Sequence, residues 1–597
     1  MNEEKPMDVK ALLAFAILIA IVLLLPKYWD IVGGGGQPTD RTAPDTVAVA
    51  TTPTESPTQS ETTGQKDQFT PPSDEWAAPG APDTVAGRVF VPDSLWTEET
   101  IRIETDLYSA ALSTRGAIIE WLILKDYEYT EGPRKGEAVV IVDTIDNAGP
   151  RLVSADKAFT IENAPFRADR SSLTLRGNDS NSVTFTTRLR DGSELAITYM
   201  FHGNRHDFTM SVSMPRPAEA GIQREYWFGW KGGLRPTEPN PEDDNNNFAA
   251  VALMGEDLEK INDVDRDEPV HSFTGITHWA AVRTKYFVCA AIPQGREADG
   301  FVVESSERPL RWQDERLALK TFSAYLRHEL SAGAPIDQRY LVYVGPLEYS
   351  ELKSYGLGLE DLIDLGWRWL IRPFSLLVLW LFRQIHHVIP NYGVVIIIFA
   401  LLVKIIFHPL TKKSMRSMRR MQELQPRMEK LRERFKSDPQ KLNQEMMKMY
   451  KDAGINPISG CLPLLPQMPI FYALFQVFRT TIELRGAYFV GWITDLSQKD
   501  PYYILPIIMT LSFFLQQRLS TKDPKQKMLT YVLPLVFGFM FRNFPAGLTL
   551  YWTMYNIFSV IEQVWLIGHP QTLTEDDATE AEVVSSTPPR GRRNRSR

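Results

Sequence analysis

From Val394 to Leu410 the chain is apolar at almost every position, and inside that run stands one cation, Lys404. About twenty such residues make a helix long enough to cross the hydrocarbon core of a bilayer. A charge near the middle of a spanning helix costs roughly 2.5–3.5 kcal/mol on insertion scales and needs compensation. A water-filled cavity between helices is the expected means. Snorkelling is the alternative, because Lys412 lies only about 12 Å further along a helix axis.

The 597-residue chain is strongly segregated. Apolar residues gather at 11–25, 374–410, 456–482, 501–517 and 528–567, and a long polar stretch with β patterning separates the first run from the others. The net charge of −8 is a poor guide, since acids collect in the middle and bases beside the apolar runs. The two cysteines, Cys289 and Cys461, fall on opposite sides of an expected span, so no disulfide is expected. Neither has a Cys or His neighbour at ligand spacing, so no metal or other cofactor is expected.

Residues 1–32 read as a signal-anchor helix built on Ala11–Leu25 and flanked by Lys10 and Lys27. A cleaved signal peptide is the alternative, but no small-x-small site follows. Residues 33–85, rich in Gly, Pro, Ser and Thr, read as a disordered linker. Residues 86–350 alternate at the strand period, as in Ile101–Thr105 and Ser182–Thr187, with a hairpin signal at Asp191-Gly192. They predict an all-β sandwich without a catalytic site. Asp263–Asp267 begins like a calcium loop but has Glu268 where glycine is needed. His271 and His278 read as structural. Residues 358–390 predict an interfacial amphipathic helix: Arg372 and Arg383 bracket too short an apolar run to span, and Trp367, Trp369 and Trp380 suit the headgroup level. A distorted spanning helix is the alternative.

Five further spans are expected at about 391–411, 460–482, 501–517, 528–543 and 546–567. Pro463, Pro466, Pro469, Pro534 and Pro545 suggest kinked helices. The segment 412–451 carries thirteen Lys and Arg against five acids, which makes it cytoplasmic by the positive-inside rule. The charged tail, 569–597, is basic at its end and agrees. Six spans follow, with both termini cytoplasmic and the β domain outside. Within the hairpin 412–455, Met421, Leu424, Met428, Leu431 and Phe435 form a short heptad seam, and Ser437-Asp438-Pro439 reads as a helix cap. Two antiparallel helices explain that seam. The basic surplus suits anionic lipid or ribosomal RNA, with Arg419, Arg420, Arg427, Met428 and Arg432 as expected partner contacts.

Several motifs resemble one family. Tyr392-Gly393, Val403-Lys404, His408-Pro409-Leu410-Thr411, Leu424-Gln425-Pro426, Gly460-Cys461-Leu462-Pro463, Pro466-Gln467-Met468-Pro469, Asp500-Pro501-Tyr502-Tyr503 and Pro545-Ala546-Gly547-Leu548 look like the YidC family of membrane protein insertases. Ser113-Thr114-Arg115-Gly116-Ala117 and Trp279 with Lys285-Tyr286-Phe287 resemble the periplasmic domain of its Gram-negative members. The resemblance implies a β-supersandwich outside the bacterial inner membrane and a five-helix insertase core over 391–568. It implies a hydrophilic groove open to cytoplasm and lipid. Nascent membrane proteins are the implied clients, and the Sec translocon, the ribosome and anionic lipid the implied partners. Lys404 stands where the family has a groove arginine, and Gln467, Tyr551, Trp552 and Asn556 are the expected groove liners. A small-anion transporter or channel remains the alternative, and a membrane-anchored carbohydrate enzyme a third reading. No phosphate-binding glycine loop is present.

Overall fold

A computed structural model describes residues 90–91, 96–132, 134–143, 149–154, 160–312, 315–453, 464–520 and 527–568. The expected signal-anchor helix, the linker, the charged tail, Cys461 and Pro463 lie outside the described residues. So do the side chains of Arg419 and Pro466.

The first half is built from two sheets. Strands Thr100–Glu104, Tyr108–Ser113, Ile118–Glu128, Ala138–Val142 and Ser172–Thr174 form a five-stranded sheet, and a second sheet has thirteen strands among the described residues. Alternation drives the pairing. In Ser180–Arg188 the side chains of Val183, Phe185 and Thr187 turn inward while Ser182, Thr184 and Thr186 face partly outward. The strand pairs antiparallel with Glu194–His202, and the turn between them places Gly192 at φ +80°. Asp191 Oδ1 accepts from the Ser193 amide at 2.9 Å, which closes the turn. Buried aromatic and aliphatic side chains of both sheets form one core.

The second half is helical: α1 (Arg372–Val388), α2 (Tyr392–Glu423), α3 (Gln425–Arg434), α4 (Pro439–Asp452), α5 (Leu464–Thr480), α6 (Ile504–Ser520), α7 (Lys527–Phe541) and α8 (Ala546–Gly568). Among the described residues only the Tyr392–Ser417 part of α2 is by itself both long and apolar enough to cross a membrane; 504–519 and 530–541 are shorter apolar stretches. Helix α1 buries Ser375, Val378, Leu379 and Phe382, one face of a helix at 3–4 residue steps. Phe382 packs edge-on against Phe399 of α2 and Phe478 of α5. Trp380 and Leu377 stay exposed on the opposite side, so both faces of α1 are apolar. The helix is shorter than the expected 358–390 segment: Gly366, at φ +86°, turns the chain before it, and Ser375 donates back to the Leu365 carbonyl at 2.9 Å.

The two halves share contacts. Ile482, just after α5, is buried within the β core. Arg485 donates to Glu238 Oε1 at 2.7 Å, to the Glu128 carbonyl at 2.8 Å and to the Thr237 carbonyl at 3.2 Å. Both charged side chains are almost fully buried. Burial raises the Glu238 carboxyl, to about 7 even with the Arg485 guanidinium beside it drawing it down. Asp244 braces the same corner by accepting from the amides of Thr237, Glu238 and Lys285.

Removing one partner of such a pair strands the other charge in a dry interior. Arg485→Ala is expected to destabilise the outer junction by about 3–5 kcal/mol. A lowered thermal unfolding midpoint of the purified protein in detergent would register it, with Arg485→Lys intermediate because it loses the forked contact.

Candidate functional site

Along α2 the buried positions Val395, Ile396, Phe399, Ala400 and Val403 recur at helical spacing, and Lys404 continues that stripe. Leu401, Leu402, Ile405 and Ile406 form the exposed face. The cation therefore points into the helical packing, only 7% exposed, rather than toward lipid. It does not stand alone. Its Nζ lies 2.7 Å from Glu562 Oε2 of α8 and donates to Ser559 Oγ at 2.9 Å. The Tyr555 ring lies beneath it, with its centroid 5.0 Å away. The second carboxylate oxygen, Glu562 Oε1, lies 2.5 Å from His408 Nδ1, one turn further along α2. The expectation of a lone cation offset by water is corrected here: a carboxylate on the last helix compensates the ammonium directly.

Helix α8 presents more polarity to the same interior. Tyr551, Asn556 and Ser559 are almost fully buried, and with Trp552, Tyr555 and Glu562 they follow one stripe at 3–4 residue steps. Tyr551 Oη, Trp552 Nε1 and Asn556 Nδ2 are buried with no protein hydrogen-bond partner among the described residues. Buried polar atoms of this kind are normally satisfied, and these three lie on one stripe of α8. Tyr551 meets Phe399 of α2, with ring centroids 6.0 Å apart, and Trp552 meets Phe471 of α5 at 5.2 Å. Gln467 is buried on α5, one turn before Phe471 and on the same helix face. Lys404, Tyr551, Trp552 and Asn556 thus gather where α2 and α8 pack, and Gln467 approaches from α5.

Sequence reasoning missed Glu562, Ser559 and His408. The signal was available: Glu562 is an acid within an apolar helix, and an ionisable group there calls for a partner.

At the end of this bundle nearest the β domain, the segment after α5 bonds to the start of α8. Ala546 and Gly547, at the start of α8, donate to the carbonyls of Gln498 and Leu496 at 2.6 and 2.9 Å. A side chain on Gly547 would meet the Phe478 ring at 2.6 Å, so glycine permits the close approach of α8 to α5. Asp500 caps α6, accepting from the amides of Tyr502 at 3.0 Å and Leu505 at 2.6 Å.

At the opposite end α3 and α4 form the hairpin. Asp438 caps α4 through the Lys441 amide, as the Ser-Asp-Pro motif predicts. Met428 is corrected as a partner contact. It is buried against Tyr450, whose hydroxyl donates to its sulfur at 3.1 Å, and Met421, Leu424, Met446 and Met449 surround the pair. Arg420 and Arg427 are exposed and Arg432 is half-buried. Met447, not singled out from the sequence, is an exposed methionine of the hairpin.

Comparison with known proteins matches residues 384–572 to the family described as 60Kd inner membrane protein, and residues 100–377 to the YidC periplasmic domain. The membrane protein insertase YidC of Chlorobaculum tepidum is 34% identical over 548 residues, which cover 86% of this chain and 90% of that protein. That of Prosthecochloris aestuarii is 33% identical, covering 88% of this chain and 91% of its own length. A crystal structure of an active YidC insertase with its first transmembrane domain resolved is 18% identical and covers 79% of this chain and 93% of its own, with a TM-score of 0.34.

The inward position of Met428 has a direct consequence. Met428→Asp is expected to open the hairpin, read as rapid protease cleavage within 425–452, whereas Arg427→Ala should leave the cleavage pattern unchanged.

Proposed function

The chain belongs to the YidC family of membrane protein insertases, and from that premise we propose that it inserts and folds inner-membrane proteins along the polar stripe between α2 and α8. The observation that carries this reading is the buried Lys404–Glu562 pair, continued by the partnerless polar atoms of Tyr551, Trp552 and Asn556 inside apolar helices. It is an inner-membrane protein with a periplasmic β-rich domain. Its termini and the basic hairpin lie on the cytoplasmic side, and the six spans include the N-terminal apolar run. Helices α5 to α8 sit in the bilayer together with α2.

A nascent segment with a polar tail faces about 30 Å of hydrocarbon. A polar stripe within the helices shortens the dry part of that path. Lys404 meets carboxylates of the tail as a point cation, for which the forked geometry of arginine is not needed. The segment between α5 and α6, stitched to the start of α8, keeps the outer end shut. Partitioning of the new helix into lipid drives the step, and the membrane potential adds about 2.3 kcal/mol per charge per 100 mV for an acidic tail moving outward. Nascent membrane proteins are the clients, handled alone or beside the Sec translocon. The exposed Arg420 and Arg427 offer the hairpin to ribosomal RNA or anionic lipid. Gln467 lines the α5 side of the groove.

The test is insertion of a single-span client with an acidic tail into proteoliposomes holding the purified protein. Lys404→Gln is expected to lower the inserted fraction about fivefold or more, ~1 kcal/mol, while Lys404→Arg keeps most of it. Full insertion by the neutral variant would sink the reading.

A further inference from the structure

We propose that Glu562 is a resident substitute for the client's carboxylate: it holds Lys404 between clients and is exchanged for an acidic residue of each incoming segment, which makes it a determinant of client selectivity. The inference rests on the insertase reading. The geometry carries it in three ways. First, the ammonium already has a carboxylate and a hydroxyl beside it. Glu562 and Ser559 reach it from one face of α8, at 2.7 and 2.9 Å, and Tyr555 covers it from the same helix. A tail arriving at this site therefore meets Lys404 already paired, and its carboxylate binds the cation only by taking the place of Glu562. Second, binding a client carboxylate in place of Glu562 keeps one anion beside the ammonium at every stage. The ammonium is never left bare among apolar side chains, where it would be strongly unfavourable. A neutral tail has nothing to exchange, so the pair discriminates by charge. Third, the displaced carboxylate has somewhere to go. His408 is 2.5 Å from Glu562 Oε1 and, with Nδ1 protonated, donates to it, and the His408 side chain is nearly half exposed. Glu562 can leave Lys404 while staying bound to His408 on the more open side of α2. Exchange of like for like also explains release. A carboxylate held by an uncontested buried ammonium leaves slowly, and a tethered competitor on the same helix shortens its stay.

The experiment uses the full chain in proteoliposomes and two stalled single-span clients. These differ only in an acidic or a neutral tail, with a photoreactive residue beside the varied position, and crosslinks are mapped to peptides around 404–408 and 555–562. Glu562→Gln is expected to raise the acidic-tail crosslink yield about threefold or more over the parent while leaving the neutral-tail yield unchanged. The double variant Lys404→Gln/Glu562→Gln should crosslink both tails equally. Glu562→Asp, which keeps the charge on a shorter arm, should raise the acidic-tail yield part of the way. Thermal unfolding in detergent identifies the folded variants, and the Asp variant carries the comparison if the Gln variant does not fold. Acidic-tail yields equal to the parent in the folded variants overturn the role of Glu562. If the parent inserts neither client, the insertase reading fails instead. If it inserts both and the Glu562 variants behave as the parent does, only the exchange is wrong.

Discussion

A charge sealed among apolar helices has to be answered by an opposite charge, and the packing of α8 against α2 is organised by that requirement. Lys404 sits on the buried stripe of α2, so its helix cannot simply rotate it into the headgroups without exposing Ile396, Phe399 and Val403 and burying Ile405 and Ile406. Glu562 supplies the answer from α8, and Ser559 and Tyr555 take up the remaining sides of the ammonium. The register of the two helices is thereby specified by polar contacts, where apolar surfaces alone would tolerate sliding.

A second buried pair, Arg485 with Glu238, does for the outer end what the first does inside. It joins the segment after α5 to the β-sheet domain, and Ile482 extends the same joint into the β core. The segment that carries these two residues also bonds to the first turn of α8 through Leu496 and Gln498. The β domain, the segment after α5 and the helix that bears Glu562 are consequently joined through consecutive contacts.

Much of this was legible from residue patterns. Strand alternation at Ser182–Thr187, the Asp191-Gly192 turn and the Asp438 cap follow from local rules that tertiary context does not override here. The importance of Lys404 was legible because a cation in an apolar run breaks the pattern around it. Its partner was not, because Glu562 lies more than a hundred and fifty residues away, and only packing of α2 on α8 brings the two together. The direction of Met428 was illegible for a related reason. A heptad seam says which residues share a face, but the large ring that covers them, Tyr450, comes from a different helix. The extent of α1 was blurred by apolar residues on both of its faces.

Helix α2 runs without interruption from Tyr392 to Glu423, about 48 Å at 1.5 Å per residue, and passes from the apolar region directly into the base of the hairpin. Pro409 lies within it, where it removes a backbone bond one turn beyond Lys404 and creates a soft joint. A helix of that build holds the apolar region and the base of the hairpin on one rod, and any bend between them falls at Pro409, five residues beyond the ammonium.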